Sequence, residues 1–453
     1  MTLKIYNTFT AKKEEFIPIK KGQVLFYVCG VTVYDHCHIG HARAYVVFDT
    51  IRRYLEHLKY KVKYVQNFTD VDDKIIARAN ERNMDYKELT KEFIKEYFED
   101  MEKLNIKKAD LYPKATEYIK QMQQIIAKLI KDEKAYILDG DVYFSVAQFK
   151  DYGKLSKKVI EDLIAGSRVE VSEKKKNPLD FALWKASKAG EPSWESPWGK
   201  GRPGWHIECS AMSTEELAET IDIHAGGEDL IFPHHENEIA QSESYTGKKF
   251  ANYWLHNGFV NIKNQKMSKS KKNFFTIKEI LKKFDGEVVR FFLQKAHYRT
   301  PLNFTFEGLK EASQALERLH STMKNRPKEK NNKINKETLE ELNNLKAKFY
   351  KAMNDDFNFA ESIGVLFEVN KVINISGHGT DLLLNLGKIL GLFNNIDKQE
   401  EELDPQIKAL IEERQNARKN KDFARGDEVR DILLNEYKIL LEDTAEGLRW
   451  KRI

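Results

Sequence analysis

A short apolar run near the N-terminus sets the first pattern of hydrophobic and polar positions. Residues 24–28 are apolar without a break and are followed by Cys29-Gly30, which predicts a strand buried on both faces of a parallel sheet. Apolar side chains then recur at helical spacing from about residue 40 to residue 58, and a second strand is predicted over residues 62–65. This strand, helix and strand form a βαβ unit, so the sequence predicts a doubly wound, parallel-sheet α/β domain.

The rest of the chain alternates between this α/β pattern and helices. A helix, a hairpin over residues 136–146 and a Trp-, Pro- and Gly-rich segment form an insertion, after which the α/β pattern returns with the strand 221–224 and the turn 225–229. Helical spacing dominates from about Phe306, and Asp404-Pro405 predicts the N-cap and first position of a helix that begins a last small unit. The predicted segments are 1–113 and 201–250 for the two halves of the α/β domain, 114–200 for the insertion, 251–305 for a connecting region, 306–403 for a helical bundle and 404–453 for the last unit.

Composition and missing motifs exclude several classes of protein. The 75 Lys and Arg residues nearly balance the 70 Asp and Glu residues, which argues against a histone-like or an acidic disordered protein. No apolar run is long enough to predict a membrane span, and three cysteines cannot form an even disulfide framework, so we expect a cytoplasmic protein without a membrane partner. Neither a dinucleotide-binding glycine motif nor a P-loop motif is present.

Two sequence motifs indicate nucleotide chemistry. His38-Ile39-Gly40-His41 follows the first strand, where two imidazoles at a helix N-terminus suit the phosphates of a nucleotide. A compact basic loop, residues 266–273, lies far downstream, and Gly226-Gly227-Glu228-Asp229 lies between them. Each motif alone is most often a cap or a solvated turn, but their combination and order favour a functional site.

A metal site is predicted from a different set of residues. His234 and Glu238 are four positions apart, so in a helix they share one face and can bind one ion. Cys29 stands at the carboxyl end of the first strand, where open α/β sheets place ligands. With Cys209 these residues make a credible zinc set. An alternative set that uses His206 or His235 stays open, and any one of these cysteines can instead be a buried structural residue.

The two nucleotide motifs resemble the HIGH and KMSKS signatures of class I aminoacyl-tRNA synthetases, and the surrounding sequence resembles the cysteinyl-tRNA synthetase family over the whole chain. The segments that carry this resemblance are 27–35, 67–74, 204–210, 224–227, 232–238, 266–270 and 441–444. The resemblance implies a Rossmann-like catalytic domain with a connective insertion, a KMSKS-bearing stem-contact region, a helical bundle and a C-terminal anticodon-binding domain.

The resemblance also implies a reaction and its residues. The implied activity is a cysteine:tRNA ligase that activates L-cysteine with ATP and Mg²⁺ and then esterifies the 3′ end of tRNA-Cys, as a monomer. One Zn²⁺ per chain, held by Cys29, Cys209, His234 and Glu238, would select the substrate thiolate over serine without editing. The implied catalytic residues are His38, His41, Lys266 and Lys269. The implied ATP site adds Gly40, Gly226, Gly227 and Asp229, and the implied cysteine pocket is Gly30, Thr69 and Trp205.

Two other functions remain as alternatives. A thiol-metabolite ligase with the same catalytic core would attach activated cysteine to an amino sugar, but the tail from Asp404 onward argues against it. A catalytically silent RNA-binding or zinc-storage protein has no chemical reason to keep both signatures. In the tail, a basic face for tRNA is a hypothesis that competes with an ordinary solvated helix face. Its proposed members are Arg414, Arg418, Lys419, Lys421 and Arg425.

Overall fold

The computed structural model describes residues 2–158, 175–262, 265–266, 274–324, 334–394, 404–437, 439–444 and 447–452. The chain divides into two compact units, Met1–Asn394 and Asn395–Ile453. Within the described ranges, every helix is too short or too polar to cross a lipid bilayer.

Strands and helices alternate through the first unit, and helices dominate its C-terminal part. The strands are β1 (Lys4–Asn7), β2 (Lys12–Glu15), β3 (Gln23–Thr32), β4 (Lys61–Thr69), β5 (Ala135–Leu138), β6 (Asp141–Phe144), β7 (Phe181–Ala186), β8 (Gly201–Pro203), β9 (Ile221–Gly227), β10 (Ala251–Asn257), β11 (Val260–Ile262), β12 (Gln265–Lys266) and β13 (Leu302–Phe304). The α-helices are α1 (Ile39–His57), α2 (Asp73–Arg82), α3 (Tyr86–Lys103), α4 (Ile119–Lys131), α5 (Trp205–Glu216), α6 (Glu236–Thr246), α7 (Ile277–Leu281), α8 (Gly286–Gln294), α9 (Phe306–Lys324), α10 (Lys336–Asn354), α11 (Phe359–Ser376) and α12 (Thr380–Ile389).

A parallel sheet with strand order β10-β9-β3-β4 forms the centre of the first unit. β3 lies inside this sheet, where Val24, Phe26 and Val28 are fully buried. The helix α1 joins β3 to the neighbouring parallel strand β4, which confirms the predicted doubly wound α/β fold. One of the faces of α1 carries the apolar residues Val47 and Ile51, which are also fully buried.

The central strand is longer than the sequence pattern indicated. β3 does not end at Cys29-Gly30 but continues to Thr32, with a register shift against β4 between Val28 and Val31. Gly30 makes this continuation feasible, because a Cβ atom there would lie 1.5 Å from the backbone oxygen of Asn67. β9 is longer too, since it includes residues 225–227 of the predicted turn.

A separate antiparallel sheet lies in the segment between the two halves of the central sheet. Its strand order is β5-β6-β7-β8, and β5 and β6 form the predicted hairpin. Trp184 of β7 and Phe144 of β6 are fully buried beneath it. Two smaller pairings complete the described sheets of this unit: the hairpin of β1 with β2, and β11 with β12 on one side and β13 on the other.

A buried arginine joins the helices of the C-terminal part to the α/β core. Arg290 of α8 is fully buried and donates to the backbone oxygens of Leu390 at 2.8 Å and Asn105 at 2.9 Å. Its guanidinium also pairs with the buried carboxylate of Asp49 in α1 at 2.5 Å. Burial alone would raise the pKa of Asp49, but Arg290 and Arg53 hold it below its usual range.

Replacing Arg290 by methionine is expected to destabilise the first unit by about 3–5 kcal/mol, because the mutation leaves the Asp49 carboxylate buried with one partner fewer. Urea unfolding of the full chain measures the effect. Arg82→Met is the control, since Arg82 forms an exposed pair with Glu92 worth under about 1 kcal/mol. Because the pKa of Asp49 is lowered, the stabilisation is present above about pH 4 and is lost as the pH falls through the folded-state value. Equal unfolding free energies for both variants would contradict this account.

The second unit contains two helices and a hairpin. They are α13 (Pro405–Lys419), α14 (Phe423–Asn435), β14 (Ile439–Thr444) and β15 (Gly447–Arg452). The Asp404 side chain accepts from the Gln406 N–H at 2.9 Å, which confirms the predicted N-cap. A small apolar core around Val429 and Leu433 holds the unit together.

The predicted basic face of this unit is wrong as a continuous surface. Arg414 is buried, so its side chain belongs to the interior of the helical hairpin. Arg425 is bound by two carboxylates, at 2.6 Å from Glu413 and 2.7 Å from Glu428. The spacing along α14 is consistent with the Arg425–Glu428 pair, whereas the burial of Arg414 and the contact of Arg425 with Glu413 depend on packing between the two helices.

Candidate functional site

Two histidines lie at the N-terminus of α1, beside the carboxyl end of β3. His38 is the N-cap, and its Nδ1 accepts from the N–H groups of Gly40 and His41 at 3.2 and 3.3 Å. His41 Nδ1 in turn accepts from the His38 N–H at 3.2 Å, and the two rings stack 3.7 Å apart. Because Nδ1 is an acceptor in both rings, the proton of each neutral imidazole is on Nε2, which can donate to a phosphate oxygen. The positive end of the helix dipole favours an anion at the same place.

The segment after the basic loop is hydrogen-bonded to this helix start. The Ile39 N–H donates to the Phe275 oxygen at 3.1 Å, and the Ile277 N–H donates to the Cys37 oxygen at 2.9 Å. Residues 275–277, which are more than two hundred residues away in sequence, therefore lie against the start of α1.

The other predicted nucleotide residues follow β9 or belong to the basic loop. Gly226 and Gly227 end β9, and since β9 pairs in parallel with β3 they lie at the same edge of the sheet as the end of β3. A Cβ atom at Gly227 would lie 2.5 Å from Asp229 Oδ1, so the Asp229 carboxylate lies close to the backbone at the end of β9. Lys266 is in β12, where only its backbone is described, and Lys269 lies outside the described residues.

The four predicted metal ligands meet in one buried cluster. Cys29 Sγ lies 3.8 Å from Cys209 Sγ and 3.5 Å from Glu238 Oε1. Glu238 Oε1 lies 3.0 Å from His234 Nε2, on the same face of a helical segment that runs into α6. All four side chains are buried, and their ligand atoms lie within 4.8 Å of one another.

The two distances from Cys29 fit a tetrahedral zinc ion. Zinc with bonds of about 2.3 Å to sulfur and about 2.1 Å to oxygen separates two sulfurs by about 3.8 Å and a sulfur from an oxygen by about 3.6 Å. The observed separations are 3.8 Å between Cys29 and Cys209 and 3.5 Å between Cys29 and Glu238. Two thiolates with an imidazole and a carboxylate are also chemically suited to zinc.

A second set of donors shares Cys29 and Glu238 with the first and adds His224 and His235. His235 Nε2 lies 3.2 Å from Cys29 Sγ, and His224 Nε2 lies 3.2 Å from Glu238 Oε2. His235, which the sequence left open as an alternative ligand, is therefore a member of this second set. It is one turn before Glu238, so both side chains point into the cluster, where His235 is fully buried.

The cluster has strongly shifted ionisation. In Glu238, burial is outweighed by His224 and His234, which hold its pKa well below the usual range. In His234, burial is outweighed by Glu238 and Cys209, which raise its pKa to about 10. Burial and the neighbouring Cys209 raise the pKa of Cys29, whereas in Cys209 burial is outweighed by the Cys29 thiol and His234, which bring its pKa to about 6. The site thus favours one carboxylate and one thiolate, both of which are ligands for a cation.

The predicted amino-acid pocket borders this cluster. Trp205 is 39% exposed, and its ring stacks on His234 at a centroid distance of 4.3 Å. The Thr69 hydroxyl donates to Glu208 Oε2 at 2.6 Å, and Glu208 directly precedes the predicted ligand Cys209. Burial raises the pKa of Glu208 well above its usual range. Gly30 is adjacent to Cys29 in the chain. The structure thus brings Gly30, Thr69 and Trp205 to the border of one buried site.

Sequence reasoning missed several polar residues that contact the ligands. His224 is in β9, and His256 Nε2 lies 2.8 Å from His235 Nδ1. Asn67 Oδ1 accepts from the Gly30 N–H at 2.8 Å and lies 3.6 Å from Cys209 Sγ. The available signal was a polar residue inside an otherwise apolar strand, since buried polar groups need a partner.

Comparison with known families gives two matches. The family described as tRNA synthetases class I (C) catalytic domain matches residues 15–314, and a DALR domain matches residues 348–394. The first match covers both signature regions and all four residues of the first metal set.

Solved structures share the fold at low sequence identity. The ternary complex of Agrobacterium radiobacter K84 agnB2 LeuRS with tRNA and LeuAMS has a TM-score of 0.62 and 12% identity, over 84% of this chain and 85% of that chain. Mycobacterium tuberculosis methionyl-tRNA synthetase in complex with methionyl-adenylate has a TM-score of 0.59 and 15% identity, over 78% and 83% of the two chains.

Proposed function

The chain belongs to the class I tRNA synthetases, and from this premise we propose that it is a cysteine:tRNA ligase. It activates L-cysteine with ATP and transfers it to the 3′ end of tRNA-Cys. The observation that supports cysteine as the amino acid is the buried cluster of Cys29, Cys209, His234 and Glu238. This cluster is suited to zinc and lies beside α1, whose Tyr45 hydroxyl donates to the Cys29 backbone oxygen at 3.5 Å.

Zinc is a means of selecting a thiol. Serine differs from cysteine by one atom, and an apolar pocket rejects such a near-isostere by only about a hundredfold. Bound by these residues, zinc would supply a soft Lewis acid for the substrate thiolate, for which a serine hydroxyl is a poor substitute at neutral pH. Gly30, Thr69 and Trp205 line the rest of the amino-acid pocket, and discrimination at this step makes a separate editing site unnecessary.

The activation step needs positioning more than proton transfer. The cysteine carboxylate oxygen attacks the α-phosphorus of ATP, the bond to the β-phosphate oxygen breaks, and pyrophosphate leaves. His38 and His41 donate from Nε2 to phosphate oxygens, and Lys266 and Lys269 offset the negative charge that develops, together with Mg²⁺. A carboxylate is already a nucleophile, so no general base is required.

The remaining ATP contacts come from glycine-rich backbone. Gly40 lets the helix start approach the phosphates, and Gly226, Gly227 and Asp229 face the nucleoside from the end of β9. In the second step, a terminal ribose hydroxyl of tRNA attacks the carbonyl carbon of cysteinyl-adenylate, the ester bond forms and AMP leaves.

We assign the rest of the chain to substrate RNA. Residues 114–200 are the connective insertion, 251–305 the stem-contact region, 306–403 the helical bundle and 404–453 the anticodon-binding domain. The DALR domain match at residues 348–394 lies inside the segment that we assign to the bundle. We expect a cytoplasmic monomer.

Pyrophosphate exchange into ATP, with cysteine or with serine, tests the proposal when zinc is quantified in the same sample. We expect exchange with cysteine, near-background exchange with serine and one zinc per chain. Charging of tRNA-Cys then distinguishes a tRNA ligase from a ligase of a thiol metabolite. Exchange that follows another amino acid, or no exchange with zinc bound, would reject the proposal.

Removing zinc is expected to suppress pyrophosphate exchange with cysteine at least tenfold, because the substrate thiolate then has no metal ion to bind. A chelator-treated sample supplies the measurement, and stoichiometric zinc should restore the rate. Circular dichroism before and after treatment separates loss of the site from loss of the fold. Full exchange in zinc-free protein would rule out the metal as the selecting element.

A further inference from the structure

A concave basic surface lies at the end of α1 opposite the two signature histidines. It is a cavity of about 540 Å³ between the last turns of α1, the middle of α10 and the end of α12, and we name it the basic pocket. The side chains that give it its charge are Arg53, Glu56, Lys107, Lys346 and Lys388. Four cationic groups against one carboxylate make this lining positive.

The nearby carboxylates do not neutralise this charge. Glu56 is shared between Lys107 at 2.5 Å and Arg52 at 2.9 Å. Asp49, which binds Arg53 at 2.7 Å, is also bound by the buried arginine of α8. Each of these two carboxylates therefore pairs with two cations, and Lys346 adds a positive charge to the cavity beyond these pairs.

Lys346 contributes a positive charge to the pocket that no other role explains. Lys388 lies in the last turn of α12, where a cation compensates the negative end of the helix dipole. Lys346 is in the middle of α10 and has no such role. No carboxylate in the described part of the chain forms an ion pair with it.

His57 and Tyr350 form a stacked pair at the edge of the cavity, where the positive charge of the lysines affects the pKa of His57. His57 Nε2 lies 3.0 Å from the Tyr350 hydroxyl, and the two rings stack 5.4 Å apart. Burial lowers the pKa of His57, and the ammonium groups of Lys59 and Lys346 lower it further. The positive charge of Lys346 thus disfavours a second positive charge at the edge of the cavity.

We propose that the basic pocket binds a phosphate group, carried either by the tRNA backbone or by a free phosphorylated compound. Lysine ammonium groups suit phosphate as point charges, and backbone contacts of this kind position RNA without reading its sequence. From His41 to His57, α1 extends about 24 Å, so the pocket is separate from the nucleotide site. A tRNA is large enough to contact both. The tRNA source rests on the proposed function, whereas the phosphate site itself does not.

Lys346→Glu tests the proposal, with Lys351→Glu as the matched control. Lys351 is an exposed lysine of the same helix, outside the pocket lining, and its replacement makes the same change in net charge. For the tRNA source we expect Lys346→Glu to weaken binding of a tRNA-Cys transcript about five- to tenfold. The magnitude of the slope of the logarithm of the tRNA association constant against the logarithm of salt concentration should also fall by about one. The control should keep the affinity and the slope of the parent protein.

A second probe identifies the free-phosphate source. Thermal unfolding of the full chain is followed in inorganic phosphate and in pyrophosphate, against chloride of equal ionic strength. If a free compound is the ligand, Lys346→Glu alone loses the phosphate-dependent rise in melting temperature, and tRNA affinity is unchanged. If neither probe distinguishes Lys346→Glu from Lys351→Glu, the basic pocket is not a phosphate site.

Exchange of pyrophosphate with cysteine, without tRNA, is measured on the same samples. Both variants should exchange at the parent rate, because the pocket is remote from the chemistry. Absence of exchange in the parent protein would reject the proposed function and would leave the phosphate measurements interpretable on their own.

Discussion

Replacing Cys29 by serine is expected to reduce zinc binding by at least about a hundredfold and cysteine-dependent pyrophosphate exchange by about a thousandfold. Changes outside the ligand shell of metal sites already cost about ten- to a hundredfold, so removal of a ligand should cost more. Cys29 is also, with Glu238, one of the two residues common to both donor sets, and its Sγ lies 3.8 Å from Cys209 Sγ and 3.5 Å from Glu238 Oε1. Serine keeps the volume of the side chain but is not ionised at neutral pH.

Cys37→Ser is the matched control for this experiment. Cys37 is buried like Cys29 but is in neither donor set. We expect it to retain one zinc and the exchange rate of the parent protein. Zinc is quantified on purified full-length protein, and the ratio of exchange rates with cysteine and serine reports selectivity. A Cys29→Ser variant that keeps both zinc and selectivity would exclude the proposed metal site.

Replacing Gly30 by alanine is expected to disrupt the central sheet, with loss of soluble folded protein or at least about 4 kcal/mol of stability. The new Cβ atom would lie 1.5 Å from the Asn67 backbone oxygen and 2.6 Å from its carbonyl carbon, and neither atom belongs to a flexible side chain. Relief of this clash requires β3 to separate from β4. The separation would also break the Gly30 N–H bond to Asn67 and displace Cys29.

Gly364→Ala is the control for the glycine experiment. Gly364 lies inside α11 with no heavy atom near its would-be Cβ, so alanine should stabilise the protein by about 1 kcal/mol through helix propensity. Urea unfolding and zinc content are compared for both variants. A Gly30→Ala protein with parental stability and zinc content would show that β3 and β4 can move apart at no cost.

The sequence was sufficient for local structure and for residues with a regular spacing. The apolar run of β3 and the helical period of α1 are confirmed, and His234 and Glu238 share a face because they are one helical turn apart. The contributions of His224 and Asn67 were not visible, since they reach the cluster through strand pairing and not through spacing along the chain.

The glycine at the end of the apolar run shows the same limit. A glycine after such a run usually ends a strand, so the sequence pattern predicted an end of β3 that is too early. The deciding contact is with Asn67 on the next strand, thirty-seven residues away. Likewise, burial of Arg414 depends on packing between two helices and cannot be read from charge along one of them.

The hydrogen bonds between the start of α1 and the segment at residues 275–277 have a consequence for how the protein is made. A ribosome releases Cys37 and Ile39 long before it synthesises their hydrogen-bond partners, Ile277 and Phe275. β3 must also wait for β9, which is nearly two hundred residues later in the chain. During that interval the nascent chain carries an apolar strand with an unpaired edge, which is prone to aggregation. Completion of the proposed nucleotide site is thus a late event of biosynthesis, and chaperone demand should peak before residue 281 leaves the exit tunnel.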